Sequence, residues 1–231
     1  MPDPKLAISL LTPDEAPLYM RIRHEAFRAD VNKILYFHKP DPSQATLDQV
    51  TESIRDDMIN KGVLFLKCVD TGTGEMIAGA RWTHYRPRDP NAKERTWEEV
   101  EEEFRIPEPY TEGHPEVNEA LFSLLGAKKK EHMGTKVYYK LDTLVTHSSH
   151  HRRGAGGLLL KWGCDRADED GVEAYLEASE MGAPLYARYG FESIENISLD
   201  LRRWGGKEEI RWTVSLDQYL ASVHGLTGER S

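Results

Sequence analysis

The residues best placed to do chemistry lie between Leu141 and Leu160, in the run Leu-Asp-Thr-Leu-Val-Thr-His-Ser-Ser-His-His-Arg-Arg-Gly-Ala-Gly-Gly-Leu-Leu-Leu. An apolar strand runs into a basic, glycine-rich turn, and the turn opens an amphipathic helix. That order gathers backbone N–H groups, a helix N-terminus and the guanidiniums of Arg152 and Arg153 around one small volume. Such a volume binds phosphate. Two nucleotide-binding patterns fail here. A P-loop needs Lys-Ser or Lys-Thr after its glycines, and neither follows Gly156. A dinucleotide fingerprint needs a third glycine where this chain has Leu159.

A third pattern, Gln/Arg-x-x-Gly-x-Gly/Ala after a strand, fits His151-Arg152-Arg153-Gly154-Ala155-Gly156, with Gly157 following. Histidine stands where Gln or Arg is usual. Downstream, Glu173-Ala-Tyr-Leu-Glu-Ala-Ser179 has the composition of a strand, and Pro184-Leu-Tyr-Ala-Arg-Tyr-Gly-Phe191 contains a Leu-Tyr-x-Arg-x-Gly-Phe signature. In this order the chain resembles the GNAT superfamily of acyl-CoA N-acyltransferases, and within it uncharacterised fungal members. The likeness covers roughly residues 60 to 215 and is strongest from 137 to 195.

The resemblance implies an α/β fold: a mixed, mostly antiparallel sheet with one splayed parallel strand pair, flanked by helices. It implies acetyl-CoA as donor and an amine as acceptor. The turn from His151 through Arg152, Arg153, Gly154, Ala155, Gly156 and Gly157 would hold the diphosphate, with the arginines adding charge. Leu144, Val145 and Thr146 would pair with the pantetheine arm like a guest strand, with Ser179 on the facing strand. One of their N–H groups would face the thioester oxygen, where negative charge develops. Tyr186 matches the tyrosine that protonates the leaving sulfur, a suitable role for a phenol. Tyr189 is the second choice and reads better as core. The resemblance also implies direct attack by the amine in a ternary complex, and no cysteine sits in a motif for an acyl-enzyme.

The proton of the amine needs an acceptor. Glu177 shares a strand face with Tyr175 and Ser179; Asp142 shares one with Lys140 and Leu144. Either carboxylate suits, and Glu177 is preferred because it lies near the expected splay, whereas Asp142 has Lys140 to pair with. Trp82 and His84, near a strand end, and Tyr36 are candidates to line the acceptor pocket, with a core role the alternative for Trp82 and His84. His147, His150 and His151 lack a carboxylate or cysteine at ligand spacing, so no metal site is read there.

Elements positioned around these residues follow from local signals. Leu6–Leu11 reads as a strand. Thr12-Pro13-Asp14-Glu15 is a capping box for a helix reaching about Ala29. A second helix is expected from about Thr46. Strands at 63–69 and 76–85 flank the hairpin turn Asp70-Thr-Gly-Thr-Gly74. Residues 86–135 form a long Pro-, Glu- and Lys-rich excursion with helical patches at 97–104 and 117–131. It reads as a lid or partner surface, or as ordered packing on the sheet edge. In the helix after the phosphate turn, Leu158, Leu159, Trp162 and Arg166 trace the face expected on the sheet, and Gly171 ends it. Strands at 192–201 and 210–216 close the sheet, leaving a short tail from about 217.

Composition bounds the function. The 231 residues suit one domain, with 39% hydrophobic and 30% charged residues. A formal charge of −9 argues against broad binding to nucleic acid or anionic membrane. The two cysteines, Cys68 and Cys164, are expected as free thiols. With no basic–apolar leader at Met1–Lys5, a cytoplasmic protein is expected, nuclear access left open. A homodimer is compatible with this reading. The main expectation is a small-molecule N-acetyltransferase; the alternatives are a non-catalytic acyl-CoA-binding module and an acetyltransferase of protein N-termini or lysines.

Overall fold

The computed structural model describes residues 3–28 and 41–217. Tyr36, the expected helix end at Ala29 and the tail beyond 217 lie outside the described residues. In chain order the elements are β1 (Leu6–Leu10), α1 (Ala16–Ala26), α2 (Gln44–Asn60), β2 (Leu64–Asp70), β3 (Glu75–Tyr85), α3 (Trp97–Glu102), α4 (Pro115–Met133), β4 (Tyr138–Thr146), α5 (Ala155–Asp170), β5 (Glu173–Ala178), α6 (Ala183–Ala187), β6 (Phe191–Asp200) and β7 (Glu209–Asp217). The Thr12 capping box forms, its N–H and hydroxyl both 2.9 Å from the Glu15 carboxylate. A 3-10 turn at Pro13–Glu15 then passes into α1.

The strands form one sheet in the order β1-β2-β3-β4-β5-β7-β6. Only β4 and β5 run parallel among the described pairs. A parallel neighbour needs a crossover connection, which α5 supplies. Helix α5 covers one face, burying Ala155, Leu159, Leu160, Cys164 and Ala167 with Leu66, Trp82, Leu141 and Leu176. This corrects the expected packing face. Leu158 and Trp162 are only partly buried, and the Arg166 guanidinium stacks 3.4 Å from the Trp162 ring. The tryptophan beneath the helix is Trp82, from β3. A Cβ at Gly163 would lie 2.2 Å from its ring, so only glycine lets the indole reach the helix backbone.

The opposite face carries α1 and α2, with Tyr19, Met20, Val50 and Ile54 packed on Phe65. Within the 86–135 excursion, α4 packs over the same side of the sheet's other half. Met133, Leu124 and Leu125 meet Tyr138, Tyr175, Ile197 and Val214, and Val117 and Leu121 meet Leu199 and Leu201. The contact is with residues spread across β4 to β7, the edge strand β6 among them. Buried Arg95 fastens the approach to α4: it donates to Lys136 O at 2.8 Å and Gly134 O at 2.5 Å, and pairs with Glu103 at 2.6 Å.

Candidate functional site

Two features of the sheet centre make a cleft. Strands β4 and β5 pair only from Tyr138↔Glu173 to Leu141↔Leu176. Past Leu141, β4 continues to Thr146 paired with β3 alone, while β5 turns its partnership to β7. The β5-facing backbone groups of residues 142–146 are therefore open to a ligand that pairs as a strand would. A bulge begins at the same point: Trp82 faces Leu141 and Arg81 faces Thr143, so Asp142 is the extra residue. The bulge corrects one expectation. Asp142 stays beside Lys140 and Thr83, whereas Leu144 turns to the α5 face, against Leu185 and the Gly156 turn.

The turn after β4 supplies donors. Among the described residues, the N–H groups of residues 154–157 make no hydrogen bond, while the residues before them close the turn at Ser148–His150; the first bonded amide of the helix is Leu158, to Gly154 O at 3.1 Å. Left-handed backbone at Arg152 (φ 63°) and Gly154 (φ 94°) turns the chain into the helix start. Successive unpaired amides beside a helix N-terminus form an anion-binding nest. His151 braces it, with Nε2 3.1 Å from Thr146 O.

Only one of the two arginines remains available. Arg153 pairs with Asp3 and Asp70, both at 2.7 Å, and so ties the turn to the β1 side of the sheet. Those carboxylates hold its proton more tightly than usual. Arg152 is exposed and has no ion pair among the described residues. The histidines are committed elsewhere: His147 to Glu25 at 2.8 Å and His150 to Arg153 at 3.1 Å.

On the α1/α4 side, the first residues past the last β4–β5 pair carry the expected carboxylates. Lys140 Nζ lies 3.2 Å from Asp142 and 3.1 Å from Glu177. Thr83 donates to Asp142 at 2.6 Å, and the Arg81 guanidinium is 3.9 Å away. Burial disfavours the Asp142 carboxylate, but Lys140 and Arg81 outweigh it and hold the group below the usual range. Burial likewise opposes charge on Lys140, and Glu177 with Asp142 reverses that, raising its pKa. Glu177 Oε1 and the hydroxyls of Tyr175 and Tyr138 are buried without a hydrogen-bond partner among the described residues. Burial raises the Tyr175 phenol, and Glu177 raises it further by its charge and by a side-chain hydrogen-bond interaction.

Tyr186 sits half-buried on α6, against Phe191, on the α5 side of the sheet. Burial pushes its phenol up to about 12. Ser179 accepts from the Gly182 N–H at 3.2 Å and starts the α6 turn. Trp82 and His84 are not beside the carboxylates. Both project from β3 onto the α5 face: Trp82 is fully buried and donates to Leu159 O at 3.3 Å, and His84 stacks on Tyr139 at 4.1 Å. Trp82 therefore takes the core place, and His84 stays half-buried, 4.0 Å from Asp170. Cys68 and Cys164 are buried, and burial raises their thiols to about 11 and about 12. Arg81 and Thr83 have no signal in the sequence, because the bulge that aligns them with Asp142 depends on pairing with β3.

A family model described as Acetyltransferase (GNAT) family matches residues 75–191, which takes in β3, the splayed pair, the phosphate turn and α6. The chain belongs to the GNAT acetyltransferase family. It is 38% identical over 53 residues to an acetyltransferase of Stachybotrys chartarum, a stretch that is 23% of this chain and 23% of that relative. Solved GNAT-like neighbours share the fold across most of their length. A mosquito arylalkylamine N-acetyltransferase-like protein has a TM-score of 0.62 at 14% identity, covering 91% of this chain and 98% of its own. The Drosophila melanogaster polyamine N-acetyltransferase has 0.61 at 14%, with the same coverage of each chain.

Proposed function

We propose that this GNAT protein moves an acetyl group from acetyl-CoA to a primary amine of a small molecule, both substrates being bound together. The observation that carries the reading is the coincidence of three things at one end of β4: the open strand edge, the unpaired amides of residues 154–157, and the buried carboxylates. The donor set fits acetyl-CoA. The free amides of residues 154–157 and the Arg152 cation suit a diphosphate, and the open edge of Thr143–Thr146 suits an amide-bearing arm.

The bound thioester supplies an activated acyl carbon and a thiol leaving group. The residues of the chain do the rest. An N–H of β4 beyond the bulge stabilises charge on the carbonyl oxygen. Glu177 Oε1, which has no partner of its own among the described residues, takes the proton of the amine directly or through a water, with Asp142 the second choice. The amine nitrogen bonds to the acyl carbon, the carbon–sulfur bond breaks, and Tyr186 gives its proton to the departing sulfur. A phenol raised to about 12 is fully protonated at working pH, as that role requires. Two buried, protonated thiols support direct attack over an acyl-cysteine.

Thiol release from acetyl-CoA against an amine panel, with products read by mass spectrometry, tests this. Release with a small amine and appearance of its N-acetyl product is expected. Acetyl-CoA binding with no release for any amine would favour the non-catalytic module, and release only with peptides the protein acetyltransferase.

A further inference from the structure

The acceptor side of the cleft holds its own ammonium. Lys140 reaches between Asp142 and Glu177 at 3.2 and 3.1 Å, at the first positions past the last β4–β5 pair, and its side chain is 11% exposed. The other carboxylates on this side are also matched. Asp57 has Arg81 at 3.1 Å and Lys61 at 2.9 Å, and Glu103 has Arg95 at 2.6 Å. Around the cluster stand Tyr85, Tyr138 and Tyr175, with Tyr138 4.7 Å from Tyr85 and 6.3 Å from Tyr175. Lys129 of α4 adds a further cation, 3.3 Å from the Tyr85 hydroxyl. One buried carboxylate oxygen is left over, Glu177 Oε1.

We propose that Lys140 is a specificity and positioning residue: it occupies the place a second substrate ammonium would need, so the site takes monoamines with an uncharged body and rejects di- and polyamines. This rests on the amine-acetyltransferase reading above. A polyamine brings a charge that must be paired once buried. Asp142 and Glu177 would serve it if Lys140 were absent; with Lys140 between them, that charge meets a like charge instead. A monoamine needs only one acceptor oxygen for its reacting nitrogen. Lys140 holds Glu177 by Oε2 and so leaves Oε1 in a fixed direction for that contact. The tyrosines match an apolar or aromatic body.

Two probes decide this: phenylethylamine, a monoamine, and putrescine, a diamine. Steady-state kinetics and calorimetric binding in the presence of CoA are measured for the wild type, Lys140→Met and Lys140→Arg. The wild type is expected to favour phenylethylamine by at least tenfold in kcat/KM. Lys140→Met should lower the putrescine KM and Kd about tenfold or more while raising the phenylethylamine KM, and Lys140→Arg should restore the wild-type order. Because Lys140→Met leaves two carboxylates adjacent, the Lys140→Met/Asp142→Asn double variant is made alongside it; with Glu177 alone it should still gain putrescine binding. A wild type that binds putrescine as well as phenylethylamine overturns the proposal. So does a folded Lys140→Met protein whose two amines weaken equally. The binding arm separates the two failures: no turnover by any variant, with putrescine binding gained on removing Lys140, defeats the acetyltransferase reading and leaves the selectivity of the site standing.

Discussion

Tyr186 is the residue whose chemistry is most exposed to test. If its phenol protonates the leaving sulfur, Tyr186→Phe lowers kcat at least about tenfold while acetyl-CoA affinity stays within about twofold. Equal kcat in the variant would remove it from the chemistry. Lys129 gives a stability prediction of definite sign. Burial, reinforced by Lys140, lowers its pKa from 10.5 to about 8. A base with a depressed folded pKa is protonated more readily in the unfolded chain. The fold therefore carries the full cost, on the order of 3 kcal/mol, below pH 8, and is relieved of it as pH rises from about 8 to 10.5. Lys129→Met should be more stable at pH 7 and should lack that rise, as urea melts across the range would show. A rise of the same size in the variant would contradict the assignment. At this scale the sequence was partly legible. Tyr186, Glu177 and Asp142 are recognisable by residue type and neighbours, and so is the Lys140–Asp142 pair. The pairs of Glu177 with Lys140 and of Asp142 with Arg81 join different strands, which only the folded sheet brings into register.

The order of β4, turn, α5, β5 and α6 was readable because glycine turns and hydrophobic periodicity are local. Which face each element presents was less so. The bulge at Asp142 adds one residue to β4 and reverses the side chains beyond it, and nothing in β4 alone announces it. The packing face of α5 is set by Gly163, whose value appears only when Trp82 of β3 is laid against it. Gly163→Ala therefore forces a methyl into the indole and should destabilise the protein by about 1–3 kcal/mol, measured by denaturant midpoint. A neutral substitution would mean that β3 and α5 are packed otherwise. The phosphate turn divides its two arginines by element. Arg152→Ala should weaken acetyl-CoA binding roughly tenfold, the worth of a charge-assisted hydrogen bond. Arg153→Ala should instead lower the melting temperature, because its partners are Asp3 and Asp70 rather than the ligand. Calorimetry and thermal melts of the pair separate these, and the reverse pattern would exchange the two roles.

At the scale of the whole molecule, the sheet is divided by covering. Helix α5 closes one face over β2 to β5, while α1, α2 and α4 share the other, and the splay between β4 and β5 opens beneath these coverings. Long-range ties hold that geometry: Asp3 to Arg153 across the phosphate turn, and Arg95 to the loop between α4 and β4. Such ties join residues 150 and 41 positions apart, which is why the excursion at 86–135 read equally as lid or packing from sequence. No helix among the described residues is long and apolar enough to cross a membrane. The central claim, that the amides of residues 154–157 hold the diphosphate of a CoA thioester whose arm completes the open edge of β4, is tested most directly by the crystal structure of the protein with CoA. The predicted result is a diphosphate within hydrogen-bond distance of those amides and a pantetheine chain running between β4 and β5. A diphosphate lodged elsewhere, or a bound CoA that leaves the β4 edge bare, would contradict it.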